Sequence, residues 1–296
     1  MRRIGLIILV PLALTALVAP PLAAQTGSAF PPAQPATDLE SALYKAADAL
    51  GMLRGPQERD GIVTFEYWAT GSIDVQGRAC ELTNYRASVR YPAADRRERH
   101  PVPAMRVDLT CAGQKPDRRV QVVAGELAWN EAEPGGAATP APDTVRDRLL
   151  QIWTLPQGVV KAARLAGSKA TFATEGGKPV ITFPLPAPLQ NATVKATLDP
   201  QNFLFHTMPT GVRRYFSHRI ERVETRLNNV VIVTTYSEYG DLNADDYKSD
   251  ALLPRRMVSE RNGMKVMDLT LTMSQTYNPY VVVPVPDNVR KATAAK

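Results

Sequence analysis

Apolar and polar residues alternate one for one in two segments of this chain, 85–91 and 105–111. In the first segment tyrosine, alanine and valine alternate with arginine and serine. In the second, methionine, valine, leucine and cysteine alternate with arginine, aspartate and threonine. Because successive side chains of a strand point to opposite faces, this pattern predicts antiparallel strands with one buried and one solvated face.

Further β-rich segments and their turns extend this prediction along most of the chain. The Asn262-Gly263 pair between two apolar runs is the strongest hairpin signal, because both residues tolerate a positive φ. Beyond it, Pro279, Pro284 and Pro286 predict an extended tail, since proline cannot donate to a sheet. The other predicted strands are 62–75, 120–123, 126–129, 169–174, 180–183, 193–198, 203–207, 230–239, 257–261 and 264–273.

Three segments have helical spacing instead. Asp38 is a good N-cap for a helix over 39–53, Asp143 for a short helix through 152, and a further helical segment over 156–165 ends before Gly167. Many consecutive strands with a few helices predict an α+β fold. We expect one domain over 38–290, with a strongly curved antiparallel sheet and the helices on its concave face.

The N-terminus has the order of residues that is typical of a secretory signal peptide. Arg2 and Arg3 precede an apolar run over 4–18, and small residues end at Ala24. An uncleaved membrane anchor is the alternative, but glycine and prolines interrupt the stretch before it reaches the roughly 20 apolar residues of a spanning helix. We therefore expect cleavage near Ala24, a flexible leader over 25–37, a periplasmic or secreted protein and at most transient membrane contact.

The two cysteines, Cys80 and Cys111, both lie in predicted strands. In an oxidising compartment such a pair favours a disulfide, and the absence of C-x-x-C spacing argues against a redox-active site. Cys111 falls on the apolar set of its strand. The bridge is therefore expected inside the protein, between neighbouring strands.

The charge of the chain excludes a nucleic-acid-binding surface. Removal of 1–24 takes away two arginines and leaves +4 of the formal net charge of +6. Arginine pairs are scattered among acidic residues, whereas a surface that follows phosphates needs them on one face. Nucleic acid is therefore not an expected partner.

No common catalytic motif is present in the sequence: it has no G-x-S-x-G, no Walker loop and no G-x-G-x-x-G. The three histidines, His100, His206 and His218, give no zinc-hydrolase signature, and exposed loop positions are expected for His206 and His218. Asp241, Asn243 and Asp245 resemble the start of a calcium loop, but aspartate stands where that loop needs glycine, and leucine where it needs glutamate. We predict no enzyme activity, no metal and no cofactor.

Six segments carry a resemblance to a bacterial family: QIWTLPQGVVKAA at 151–163, TVKATLDPQN at 193–202, RIERVET at 219–225, YSEY at 236–239, LPRR at 253–256 and MDLTLT at 267–272. They resemble the exported, uncharacterised region found ahead of metallo-β-lactamase-fold hydrolase domains, which is itself similar to the LolA-like fold of periplasmic lipoprotein carriers. The zinc signature of those hydrolases has no counterpart here, and 205–218 looks like an insertion between two strands of the family pattern.

The LolA-like resemblance implies a half-open sheet wrapped over helices, with a hollow that accepts acyl chains. It leads to the hypothesis of a non-enzymatic carrier for a lipid or other apolar ligand, with shape-tolerant methionine and aromatic side chains lining the hollow. The alternative is a scaffold or partner subunit of a separately encoded exported hydrolase. The candidate cavity residues are Phe65, Tyr67, Trp129, Trp153, Met264 and Met273.

Overall fold

The computed structural model describes residues 34–54, 57, 59–75, 77–92, 102–113, 117–201, 203–207, 213–249 and 251–294. The predicted signal peptide over 1–24, most of the predicted leader and His100 lie outside the described residues.

The described part of the chain holds many short strands and a few helices. The helices are α1 Leu39–Ala49, α2 Val145–Thr154, α3 Pro156–Ala166 and α4 Asp287–Ala294. The strands are β1 Leu53–Arg54, β2 Arg59–Asp60, β3 Thr64–Val75, β4 Arg78–Arg90, β5 Ala104–Cys111, β6 Asp117–Ala124, β7 Leu127–Glu131, β8 Thr139–Pro140, β9 Thr171–Glu175, β10 Lys178–Pro184, β11 Ala192–Asp199, β12 Phe203–Thr207, β13 Arg213–Phe216, β14 Arg219–Leu227, β15 Val230–Gly240, β16 Leu253–Arg261 and β17 Met264–Gln275.

Thirteen strands form one open antiparallel sheet in the order β8-β7-β6-β5-β4-β3-β17-β16-β15-β14-β11-β10-β9. The predicted α+β class with an antiparallel sheet is confirmed. The apolar residues that alternate in 85–91 and 105–109 lie on the buried face, as the period of two predicts.

The sheet curves around α2. Two successive residues of this helix contact strands that are far apart in the strand order. Arg148 donates to the Val122 carbonyl in β6, and Asp147 accepts from Arg261 in β16. Five strand spacings separate β6 from β16, which is about 24 Å in a flat sheet. A helix about 10 Å wide reaches both strands because the sheet bends, so α2 lies on the concave face.

Helix α1 begins where the sequence predicts and ends earlier. The Asp38 carboxylate accepts from the Ser41 backbone N–H at 2.7 Å, and the Ser41 hydroxyl accepts from the Asp38 N–H at 3.1 Å, which is a reciprocal cap. The helix ends at Ala49 because Gly51 takes a positive φ of 64°. Leu53, predicted to be helical, pairs with Asp60 in a short hairpin.

Helices α2 and α3 adjoin at a close approach that requires glycine. A Cβ added to Gly158 would lie 2.2 Å from the Ile152 carbonyl oxygen. The prediction that Asp143 caps α2 is wrong: a 3₁₀ turn over Pro142–Thr144 precedes the helix, and Thr144 is its N-cap. The end of α3 before Gly167 is confirmed.

The hairpin at Asn262-Gly263 is confirmed, with φ of 50° and 79° at its two turn residues. The segments 193–198 and 203–207, predicted on either side of a turn, do not pair with each other. Strand β11 pairs with β14, and β12 pairs with β13 in a separate two-stranded sheet. The β12–β13 hairpin therefore lies in the sequence between β11 and β14, which are direct neighbours in the sheet, as an insertion does.

The C-terminal segment covers part of the convex face. Val281, Val283 and Val289 are buried against Val122 and Trp129 of β6 and β7. The predicted extended tail is observed up to Pro286, but α4 then follows it. The sequence pattern missed this helix because it spans eight residues and, among its residues with described side chains, buries Val289 alone.

Candidate functional site

A cavity of about 460 Å³ lies between α2 and the concave face of the sheet. Strands β3 to β6 form one wall, β14 to β17 form the other, and α2 closes it from above. The volume falls within the range of about 300 to 1,000 Å³ that is typical of small-molecule sites. The curved sheet is therefore not filled completely by its own side chains.

The first wall is mostly apolar where β3 and β5 form it. Val75, Met105, Val107 and Leu109 are buried and line the cavity, and Met267 of the adjacent strand β17 pairs with Ile73 of β3. Burial of a ligand's apolar surface against these side chains would contribute about 0.8 kcal/mol for each methylene.

The wall formed by β14, β15 and β16 carries hydroxyl groups. The Thr234 Oγ1 and Ser259 Oγ atoms, on directly opposed residues, are 2.7 Å apart. Thr225 lies diagonally across from Thr234 and is 1% exposed. Its Oγ1 has no hydrogen-bond partner among the described residues.

Three buried tyrosines add polar groups that stay neutral. Burial is the main cause that raises the pKa of Tyr67 well above its usual value and that of Tyr85 to about 12. Burial also raises the pKa of Tyr236, whose hydroxyl donates to the Thr154 carbonyl at 2.6 Å. At physiological pH these phenols can form hydrogen bonds but carry no charge.

An ion pair stands at the edge of the cavity. The Arg261 guanidinium contacts the Asp147 carboxylate at 2.7 Å, with the two side chains 40% and 54% exposed. The remaining charged residue of the described lining is Asp74, which is exposed. The formal charge of the lining is therefore weakly negative.

The six candidate cavity residues lie in different places. Tyr67 lines the cavity. Phe65 and Trp153 lie in the main core, where both rings contact Tyr91 at centroid distances of 6.1 Å and 5.9 Å, and they do not line the cavity. Trp129 lies in the apolar cluster on the convex face.

Met264 and Met273, the other two candidates, are 69% and 40% exposed. Met264 opens its strand beside the hairpin turn, and a register shift between Leu271 and Met273 changes the face to which Met273 points. The methionines of the cavity are Met105, Met257 and Met267. For Met105, the alternation with polar neighbours along 105–111 indicates a position on the buried face of the strand.

The expectation of an exposed loop is wrong for His218, which is fully buried. Its Nε2 accepts from the Ala36 N–H at 3.2 Å, and its Nδ1 lies 2.7 Å from the Ser217 hydroxyl. Burial, with a smaller contribution from Lys45, lowers the pKa of His218 to about 4, although Asp199 acts in the opposite direction. This histidine anchors residues that precede α1 rather than serving chemistry in the cavity. The His206 side chain lies outside the described residues.

The candidate calcium loop is closed by its own hydrogen bonds. The Asp241 carboxylate accepts from the Ser249 N–H at 2.6 Å and from the Asn243 N–H at 3.0 Å. The Asn243 amide also contacts Thr276, while Asp245 points to solvent. Within the described ranges, no three His, Cys, Asp or Glu side chains are grouped as a metal site.

The predicted disulfide is confirmed. Cys80 in β4 and Cys111 in β5 are bonded. Cys80 is buried and pairs across the sheet with Ile73, a residue of the cavity wall. The bridge therefore fixes the strands that carry the apolar half of the cavity.

Comparisons with known proteins give matches among solved structures alone. No family model and no curated protein matches the sequence. The fold is similar to that of a LolA superfamily protein from Nitrosomonas europaea, with 12% identity, a TM-score of 0.40, and coverage of 86% of this chain and 97% of that chain.

Among the described helices, none combines the length and the apolar composition that crossing a bilayer requires. The longest are α1 and α3, with 11 residues each.

Proposed function

We propose that this protein is a non-enzymatic periplasmic carrier or binding protein for a hydrophobic, lipid-like ligand, built as one domain over 38–290. The cavity of about 460 Å³ under the curved sheet carries this proposal. A cleft of this size, open at one edge and lined mostly by buried apolar side chains with a few polar groups, has the form that small-molecule sites take.

The chemistry of the lining supports an apolar ligand. Met105, Met257 and Met267 supply flexible, polarisable surface that adapts to chains of different shape. The tyrosines are held neutral, and the Arg261 and Asp147 side chains neutralise each other. These groups orient a ligand more readily than they transform one.

The disulfide supports the proposed location. Such bonds persist in oxidising compartments, of which the bacterial periplasm is one. The Cys80–Cys111 bond agrees with the export signal that the sequence predicts over 1–24.

Two measurements test the carrier function. Native mass spectrometry of the purified protein should reveal a co-purified lipid-like mass that solvent extraction removes. The delipidated protein should then bind a neutral fluorescent probe such as N-phenyl-1-naphthylamine with one site per chain.

A matched pair of variants locates the bound probe. Ile73 lines the cavity, and its neighbour Ser72 points to the opposite face of the same strand. Ile73→Trp should reduce probe affinity at least tenfold by filling the hollow, while Ser72→Trp should leave it unchanged. A delipidated protein that binds no probe, or equal affinity in both variants, would rule out the cavity as a carrier site.

A further inference from the structure

We propose that the ligand is a single-chain amphiphile with an uncharged acyl-ester or acyl-amide head, and that the Thr225 hydroxyl donates a hydrogen bond to its carbonyl oxygen. This inference rests on the proposed carrier function and names the class of ligand that the cavity selects.

The serine and threonine hydroxyls that the sheet contributes to the cavity lie on one wall, beside the apolar side chains of Ile232 and Met257. Val75, Met105 and Leu109 lie on the wall formed by β3 to β5, whereas Thr225, Thr234 and the Ser259 hydroxyl lie on three adjacent strands of the other wall. A wholly apolar ligand would leave the Thr225 hydroxyl of this wall without a partner. A ligand with one apolar end and one hydrogen-bonding end fits both.

The Thr225 hydroxyl identifies where the head lies. Thr234 and Ser259 satisfy each other at 2.7 Å, but the Thr225 Oγ1 is buried and has no partner among the described residues. Leaving a buried hydroxyl unsatisfied costs about 1 to 3 kcal/mol. A ligand that accepts a hydrogen bond from Thr225 would remove this cost. A carbonyl oxygen is the simplest acceptor for its proton.

The charges of the lining favour a neutral head over an anionic one. Arg261 is the only cation of the described lining, and it already contacts Asp147, while Asp74 adds a further negative charge. A carboxylate or phosphate placed beside the hydroxyl wall would lose its hydration without gaining a free cation. An ester or amide carbonyl loses much less hydration free energy when it moves from water into the cavity.

The volume limits the ligand to one chain. At about 460 Å³ the cavity lies in the lower half of the range for small-molecule sites. Apolar side chains line both walls, so one acyl chain can be sheltered between them with its head against β14 and β15.

Three ligands of equal chain length test the inference: monodecanoylglycerol, decanoate and decane. Their affinities are measured on the delipidated full chain by displacement of N-phenyl-1-naphthylamine, at a mildly alkaline pH where decanoate is ionised. We expect the ester to bind at least tenfold more tightly than decanoate. In Thr225→Val the affinity for the ester should fall threefold to tenfold, and the affinity for decane should change less than twofold.

Thr235→Val is the matched control, because Thr235 lies on the exposed face of β15 and does not line the cavity. It should leave all three affinities unchanged. Thr225→Val is expected to fold, since it removes an unsatisfied buried hydroxyl and keeps the side-chain shape; a raised midpoint of thermal unfolding would agree with this.

The possible failures are distinguishable. If the probe and decane bind but the ester gains nothing over decanoate, or Thr225→Val leaves ester affinity unchanged, the inference is overturned and the carrier function stands. If neither the probe nor any of the three ligands binds, the carrier function fails and the inference fails with it.

Discussion

The Asp147 carboxylate on α2 accepts a 2.7 Å hydrogen bond from the Arg261 guanidinium at the end of β16. The two residues are 114 positions apart in the sequence, and both line the cavity. Their contact therefore joins the covering helix to the sheet at the edge of the hollow, where a ligand would enter.

Arg261→Gln should have little effect on stability but should speed ligand exchange. Exposed ion pairs contribute about 0 to 1 kcal/mol, so the urea midpoint should move only slightly. Loss of the contact frees the edge of α2, and dissociation of the fluorescent probe in stopped flow should become about twofold to tenfold faster.

Lys195→Gln is the control for that change, since Lys195 contacts Glu175 at 2.6 Å with similar exposure, outside the cavity lining. Its probe dissociation should match that of the unaltered protein. Equal rates for both variants would show that the ion pair does not restrict entry.

Acidification should destabilise the protein between about pH 6.5 and pH 4 through His218. In the folded state burial lowers the pKa of His218 from 6.5 to about 4, so the unfolded chain binds the proton more readily. The stabilisation is present above pH 6.5 and is lost as pH falls towards 4, up to about 3 kcal/mol for this group. Urea unfolding at several pH values measures it.

His218→Asn separates this group from the carboxylates that also titrate in acid. His218 has a φ of 68°, a conformation that asparagine tolerates. The variant should be less stable at neutral pH and should show a weaker dependence of its free energy of unfolding between pH 6.5 and 4. An unchanged pH slope would show that His218 is not the responsible group.

Local patterns predicted those parts of the fold that local sequence determines. Asn262-Gly263 specifies its turn because both residues adopt positive φ, and the alternation over 85–91 places its apolar set in the core. The sequence pattern missed strand β14, although only Asn228 and Asn229 separate it from β15. No local pattern relates Ala196 to Val223, because the β12–β13 hairpin separates the paired strands.

The site was less predictable because residue type alone does not decide which face a side chain occupies. Met273 and Trp129 suit an apolar hollow, yet the register shift in β17 and the outer face of β7 place them elsewhere. The inward position of Thr225 could be predicted from the sequence. It stands between the charged residues Glu224 and Arg226, two positions after Val223, and therefore shares the buried face of the strand with Val223. A threonine among buried apolar positions marks a polar group inside.

Replacement of Arg148 should destabilise the contact between α2 and the sheet. This guanidinium donates to the Val122 and Trp129 carbonyls at 2.8 and 2.7 Å and to the Asn130 Oδ1 at 2.5 Å, and burial lowers its pKa to about 10. Arg148→Met removes these donors but also removes a desolvated charge. We expect a net loss of about 1 to 3 kcal/mol in urea unfolding.

The exposed Arg146 of the same helix provides the comparison for Arg148. Arg146→Met should change the free energy of unfolding by less than about 0.5 kcal/mol. If the two variants were equally stable, the hydrogen bonds of Arg148 to β6 and β7 would not contribute to stability.

Reduction of the Cys80–Cys111 bond should lower both stability and ligand retention. The bond closes a loop with a sequence separation of 31, for which the chain-entropy model gives about 3 to 4 kcal/mol. The urea midpoint should fall in reducing buffer, and probe dissociation should accelerate because Cys80 pairs with Ile73 in the cavity wall. The double variant Cys80→Ala/Cys111→Ala should behave like the reduced protein in either buffer, whereas an oxidised protein no more stable than this variant would contradict the prediction.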